Sequence, residues 1–144
     1  MAKSGRYSAD RKKIENITGA KTVQVHDCGT IFMLSDAGGA GYTITMPSVA
    51  AAGKGWWCKM IVNCAAGATL NNSGGEDIVF ATEDDTDFIV LHIDVNDALL
   101  ADDAADVLTI DHTAVKGTHL EWICDGTNWF ITGAGGSGMI HKTS

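Results

Sequence analysis

The stretch from His119 to Gly133, HLEWICDGTNWFITG, constrains the fold of this chain more than any other. Two runs rich in aromatic and β-branched residues flank Asp125-Gly126, a dipeptide that favours the type I′ turn of a two-residue hairpin loop. A turn centred on this dipeptide places Trp122 opposite Trp129. The stretch therefore predicts a β-hairpin in which the two tryptophans form a cross-strand pair.

The two faces of the predicted hairpin differ in composition, because successive residues of a strand point to opposite sides. One face is almost wholly apolar and carries Leu120, Trp122, Cys124, Thr127, Trp129 and Ile131. The other face is mixed and carries His119, Glu121, Ile123, Asn128, Phe130 and Thr132. This contrast is typical of an antiparallel pair with one side in a hydrophobic core and the other side in water or against a partner.

Short runs with β character, separated by turns rich in Gly, Asn and Asp, fill most of the remaining chain. They predict strands at Lys21–Val25, Thr30–Leu34, Tyr42–Met46, Trp56–Asn63, Asp77–Ala81, Phe88–Ile93 and Val107–Ile110. Pro47–Gly55 has the length of a linker or a single helical turn, and Asn96–Asp106 fits either a short helix or a loop. The pattern predicts an all-β protein, a jelly-roll-like β-sandwich of short antiparallel strands.

The net charge of −8 is unevenly distributed along the 144 residues. Residues 1–21 carry a local charge of +4, whereas residues 22–144 carry −12. We predict an extended basic arm over residues 1–20, a sandwich domain over 21–133 and a flexible tail over 134–144. A basic arm on an acidic body indicates docking to an acidic surface or to nucleic acid, or else a solvated tail. Because the acidic body would repel phosphates, we expect no nucleic-acid partner.

The four cysteines, Cys28, Cys58, Cys64 and Cys124, form no Cys-x-x-Cys pair and no zinc-finger spacing. The basic N-terminus is not followed by the apolar run of a secretory signal, so we expect cytosolic synthesis and reduced thiols. Cys58 and Cys124 lie in strand-like runs and are predicted to fill the core. No apolar run approaches the ~20 residues of a membrane-spanning helix, and we expect no membrane partner.

The sequence contains none of the common catalytic motifs for a serine hydrolase, a P-loop, a zinc protease or dinucleotide binding. The acidic run with Glu83, Asp84, Asp85 and Asp87 could offer oxygen ligands to Ca²⁺, but it lacks the EF-hand pattern and fits a solvated loop. The histidines show no spacing typical of a metal site. We therefore expect no catalytic residue, no metal and no cofactor, and we predict that the protein is not an enzyme.

Three segments together resemble the capsid decoration (cement) proteins of tailed bacteriophages. They are GTIFML, YTITMPSVAAAGKGWWCKMIV and the terminal HLEWICDGTNWFITG, and the resemblance covers roughly residues 22–133. It implies a small β-sandwich on the outside of a capsid that binds the major capsid protein, stabilises contacts between its subunits and forms a homotrimer. Related segments also occur in phage tail-fibre and tail-tip modules, so a module that binds a host-surface glycan is the alternative.

The resemblance also implies roles for particular residues. In such proteins the terminal arm reaches neighbouring subunits, which assigns capsid binding to Lys3, Arg6, Tyr7, Arg11, Lys12 and Lys13. On the mixed sheet face, Trp57, Ile123 and Phe130 are large apolar side chains, and we predict that they contact the capsid or a second subunit. The alternative is that these three residues cover the second side of a two-layer core.

Overall fold

The computed structural model describes residues 11–36, 39–71, 77–84, 88–94, 99–105, 107–136 and 140–143. For residues 88–94, 99–105 and 141–143 the description covers the backbone only. Strands make up most of the regular secondary structure of these residues. The strands are β1 Lys13–Ile17, β2 Lys21–Thr22, β3 Thr30–Leu34, β4 Tyr42–Met46, β5 Trp57–Val62, β6 Ile78–Thr82, β7 Phe88–Asp94, β8 Leu99–Ala105, β9 Val107–Ile110, β10 His119–Cys124, β11 Trp129–Ala134 and β12 Ile140–Thr143.

One short α-helix, α1 (Val49–Ala52), connects β4 to β5. The Oγ of Ser48 accepts a hydrogen bond from the backbone N–H of Ala51, so the helix has the serine N-cap that short helical turns favour. This confirms the single helical turn predicted within Pro47–Gly55. In the described part of the chain, no helix is long and apolar enough to span a membrane.

The strands form two sheets, which makes the protein an all-β, sandwich-like fold as predicted. The seven-stranded sheet has the order β1-β3-β5-β10-β11-β7-β8, and the five-stranded sheet has the order β12-β9-β6-β4-β2. The buried side chains of both sheets form one hydrophobic core.

Strand direction differs from the expectation of antiparallel pairing. The first six strands alternate between the two sheets, so strands two apart in sequence become neighbours that run in the same direction. Five of the ten strand pairings in the described chain are therefore parallel: β1-β3, β3-β5, β2-β4, β4-β6 and β11-β7. The sequence pattern did not reveal this parallel pairing. Alternation of apolar and polar residues fixes which face of a strand is buried, but not the direction of the neighbouring strand.

The centre of the core is a cluster of aromatic rings that links the two sheets. Trp122 on β10 lies 5.6 Å from Phe80 on β6 and 5.9 Å from Trp129 on β11, measured between ring centroids. Trp56 meets Trp129 edge to face at 5.4 Å. Such edge-to-face and tilted pairs add to the stabilisation that burial of the rings provides. Cys58 and Cys124 are buried beside these rings, as predicted.

The terminal hairpin forms with a turn that lies one residue further along the chain than predicted. The backbone N–H of Asp125 donates to the carbonyl of Asn128, which leaves Gly126 and Thr127 as the two central residues. Gly126 has φ +98°, and the first central position is where a type II′ turn requires glycine. The Asp125 carboxylate accepts the N–H groups of Thr127 and Asn128 at 2.8 and 2.7 Å, which fixes this turn.

This shift changes the partners of the hairpin but not its faces. Trp122 pairs with Ile131 and Cys124 pairs with Trp129, so the predicted Trp122–Trp129 pairing is wrong. The register differs by two residues, and a shift of two preserves the side to which each residue points. The strand residues of the apolar face are accordingly buried, as predicted, with Trp122 and Trp129 both fully enclosed. Thr127, which was predicted on this face, lies in the turn instead and is exposed.

The sheets extend beyond the predicted domain of residues 21–133 in both directions. Lys13–Ile17, expected in the arm, form the edge strand β1, and Ile17 is buried in the core. Ile140–Thr143, expected in the flexible tail, pair with β9. The segment that fitted either a helix or a loop forms the strand β8, which pairs with β7.

Candidate functional site

The mixed face of the hairpin continues across the seven-stranded sheet, and we call it the outer face. Pairing between neighbouring strands aligns its residues in rows. Its described members include Ile14, Asn16, Ile31, Met33, Trp57, Lys59, Ile61, His119, Glu121, Ile123, Phe130 and Thr132. Most of these side chains are apolar, although they point away from the core.

The structure brings together the three residues predicted to form an interface. Ile123 on β10 pairs with Trp57 on β5 and with Phe130 on β11, so the three side chains form one row. Trp57 and Phe130 are half-buried, and Ile123 is 41% exposed. Ile14, at the edge of the same face, is 62% exposed. Ile123 and Ile14 are thus open to solvent on this face, whereas Trp57 and Phe130 are partly covered.

A groove of about 520 Å³ lies beside Trp57 and Ile123 of this row. Its walls are formed by Lys12, Ile31, Gly55, Trp57, Lys59, Glu121 and Ile123. Lys59 and Glu121 lie directly opposite each other on β5 and β10, which places one charge of each sign in the groove. The groove thus combines apolar walls with a few charged groups, as binding surfaces commonly do.

Lys12 connects the basic segment to the outer face. Its ammonium group lies 5.1 Å from the centroid of the Trp57 ring, within the range of a cation–π interaction. Of the six residues assigned to capsid binding, Lys12 is thus positioned beside the predicted interface row. Arg11 is exposed next to it, whereas Lys3, Arg6 and Tyr7 lie outside the described residues.

Lys13 has a different partner. Its Nζ lies 3.1 Å from Oδ1 of Asp27, a carboxylate with only 3% side-chain exposure, and Lys21 approaches the same carboxylate at 3.8 Å. The backbone N–H of Gln24 also donates to Asp27, at 2.9 Å. Asp27 thereby ties the edge strands β1 and β2 to the short 3₁₀ turn that it ends. Lys13 therefore takes part in an ion pair within the chain, and its assignment to capsid binding stays a prediction.

The surroundings of Asp27 predict a dependence of stability on pH. Burial acts to raise the pKa of this carboxyl group, but the hydrogen bonds from Gln24 and Lys13 and the nearby ammonium of Lys21 outweigh it, so the pKa lies below its ordinary value of 3.8. A carboxylate with a lowered pKa stabilises the fold above its ordinary pKa and loses that contribution as the pH falls through the lowered value. We expect the free energy of unfolding of the native chain to fall more steeply below about pH 4 than that of Asp27→Asn.

Urea denaturation at several pH values between 6 and 3 measures this difference. Glu83→Gln serves as the control, because Glu83 is an exposed carboxylate on the loop after β6. Parallel pH profiles for the native chain and Asp27→Asn would show that Asp27 has no such role.

Comparison of the chain with protein-family models, with curated proteins and with solved structures found no match.

Proposed function

We propose that this protein is a structural component of a tailed-phage virion, bound to the outside of the capsid, where it stabilises contacts between major capsid protein subunits. The observation that carries the proposal is the row formed by Trp57, Ile123 and Phe130 on the outer face, with Lys12 beside it. The resemblance of the sequence to decoration proteins supplies the identity of the partner.

The composition of the outer face supports a protein partner. Tryptophan, phenylalanine and isoleucine present a large apolar area, and contiguous exposed apolar area marks interaction surfaces. Aromatic residues at the centre of an interface also contribute a disproportionate share of its binding energy. Trp57 occupies such a central position, because it lies between the cation of Lys12 and the exposed side chain of Ile123.

The charge at this face indicates which kind of surface it fits. The chain as a whole carries −8, but the groove presents Lys12 and Lys59 against the single carboxylate of Glu121. The adjacent Arg11 adds a further exposed positive charge. A locally basic, aromatic surface on an acidic body complements an acidic patch on the partner and orients the docking. We propose that the capsid surface provides this patch, and that the protein attaches as a homotrimer.

Substitution of Trp57 tests the proposal. Trp57→Ala should weaken binding to undecorated capsids, made from the major capsid protein of the same phage, by about 30-fold or more, as expected when a central aromatic residue is removed. Co-sedimentation at increasing protein concentration gives the dissociation constant. Thr109→Ala, on the solvent side of the five-stranded sheet, is the matched control and should bind like the native chain.

Two results would contradict the proposal. Either the native protein fails to bind capsids, or Trp57→Ala binds as tightly as the native chain while its thermal unfolding shows an intact fold. The proposed homotrimer is tested separately. The number of copies bound per decorated capsid and the molecular mass of the free protein in solution both report the oligomeric state.

The groove favours one alternative function, a tail or fibre module that binds a host glycan. Trp57 and the carboxylate of Glu121 line the same groove, and an aromatic ring beside a carboxylate is a combination that can stack on a sugar and accept its hydroxyl hydrogen bonds. A glycan array distinguishes the two functions. Saccharide binding that Trp57→Ala abolishes, together with no affinity for capsids, would favour the glycan module.

A further inference from the structure

A second group of side chains lies far from the outer face, at one end of the five-stranded sheet. Strands β6 and β9 pair there in antiparallel fashion, with Ile78 opposite Ile110. Asp77 immediately precedes β6, whereas Asp111 and His112 immediately follow β9. The pairing thus brings the three side chains to the same end of the sheet, although more than thirty residues separate them in sequence.

The distances within this group match those of a metal site. The Nδ1 atom of His112 lies 3.2 Å from Oδ1 of Asp111 and 3.6 Å from Oδ1 of Asp77, and all three donor atoms lie within 4.8 Å of one another. Ligand atoms at ~2.0–2.1 Å from a tetrahedral Zn²⁺ ion are separated from each other by about 3.3–3.4 Å. The two distances from His112 lie on either side of that value.

Neighbouring groups hold the donor side chains in place. The backbone N–H of His112 donates to Oδ1 of Asp77 at 3.1 Å. Thr113 donates both its backbone N–H and its hydroxyl to Oδ1 of Asp111, at 2.8 and 2.6 Å. Outer hydrogen bonds of this kind orient the ligands of metal sites in proteins.

We propose that Asp77, Asp111 and His112 bind a divalent transition-metal ion, with Zn²⁺ the best fit. One imidazole nitrogen and two carboxylates favour zinc and its neighbours over Ca²⁺ and Mg²⁺, which take oxygen ligands almost exclusively. The two carboxylate charges balance the charge of the ion. All three residues are half-buried, so water completes the coordination from the open side. The ion would fasten the segment after β9 to the beginning of β6 and stabilise the fold. The site does not depend on the proposed capsid function.

A protonated His112 that bridges the two carboxylates is the competing explanation for the same distances. It requires no metal ion, and its contribution to stability would not respond to zinc. Titration with Zn²⁺ alone therefore separates the two explanations.

Calorimetric titration of the full chain with Zn²⁺, together with thermal unfolding, tests the site. The proposal expects one ion per chain and a melting temperature raised by about 5–10 °C at a zinc concentration a hundred times the dissociation constant. His112→Gln and Asp77→Asn should each abolish this rise. Thr113→Val, which removes only the hydroxyl that orients Asp111, should weaken binding by about 10-fold or more.

Two controls address other zinc ligands. His26→Gln removes an exposed histidine that also lies beside a carboxylate, and Cys28→Ser removes the exposed thiol. Both variants should keep the zinc-dependent rise. The proposal is overturned if the native chain shows no rise with zinc, or if His112→Gln, folded by circular dichroism, responds as the native chain does. Neither outcome affects the capsid-binding test, because Trp57 and its control Thr109 lie outside this site.

Discussion

Replacement of Trp122 by alanine is expected to lower the free energy of unfolding by about 3–5 kcal/mol, a large share of the ~5–15 kcal/mol that typically stabilises a domain. Trp122 is fully buried and contacts Phe80 of the opposite sheet and Trp129 of the neighbouring strand. Its removal leaves a cavity at the point where the two sheets meet. Because both sheets line that cavity, neither can close it without moving away from its other contacts.

Urea denaturation of Trp122→Ala and Trp57→Ala makes this a matched comparison. Both residues are tryptophans on adjacent strands of the seven-stranded sheet, but Trp57 lies on the outer face. Trp57→Ala should lower the free energy of unfolding by about 1.5 kcal/mol or less, since the Trp57 ring is only half-buried. Equal losses for the two variants would contradict the assignment of one face to the core and the other to solvent or a partner.

Gly133→Ala is expected to lower the free energy of unfolding by a similar amount, about 3 kcal/mol or more, because the added methyl group overpacks the site. Gly133 pairs with Leu120 across the hairpin, and a Cβ atom at this position would overlap the carbonyl oxygen of His119 on the neighbouring strand. A Leu120 methyl group would lie only 3.0 Å away. The strand is also irregular here, because the pairing of β11 with β7 shifts between Ile131 and Ala134. Glycine at such a position permits a close approach of two backbones.

Gly19→Ala is the control for this substitution. A Cβ atom at Gly19 would meet no atom of the described residues within 4 Å, and its φ lies outside the left-handed region. The free energy of unfolding of Gly19→Ala should lie within about 1 kcal/mol of that of the native chain. A Gly133→Ala variant with the melting temperature of the native chain would contradict this prediction, since it would show that the two strands can move apart here without loss of stability.

The buried faces of the strands were predictable from the sequence because apolar residues alternate regularly along them. Trp56, Cys58, Met60 and Val62 all point into the core, and Trp57 points outward, as that alternation predicts. The same pattern grouped Trp57, Ile123 and Phe130 on one face before their pairing was known. Alternation is a property of single strands, so it needs no knowledge of neighbours.

The elements that the sequence did not reveal depend on their neighbours. Strand β1 is short and mostly polar at the edge of its sheet, and its place is fixed by pairing with β3 and by the contact of Lys13 with Asp27. Strand β8 contains LLADDAA, whose alanines and aspartates have low strand propensity, and it forms through its pairing with β7.

The proposed metal site was missed for a related reason. Asp111-His112 was visible as a pair of adjacent residues, but its third member, Asp77, is distant in the chain. Only the antiparallel pairing of β6 with β9 places Asp77 beside them. One signal could have indicated the site if β6 and β9 had been taken as antiparallel neighbours. It is a carboxylate just before one strand, together with a carboxylate and a histidine just after the other.

The position of the hairpin within its sheet has a consequence for the folding rate. Strands β10 and β11 lie at the middle of the seven-stranded sheet, where they join β5 on one side to β7 on the other. The residues that connect these two halves are therefore synthesised after both of them. Until residues 119–134 leave the ribosome, β5 and β7 each lack the neighbour that covers their hydrogen-bonding edge. When strands that are far apart in sequence pair, the chain loses the conformational entropy of long loops before the stabilising contacts form. We therefore expect folding on the millisecond-to-second time scale.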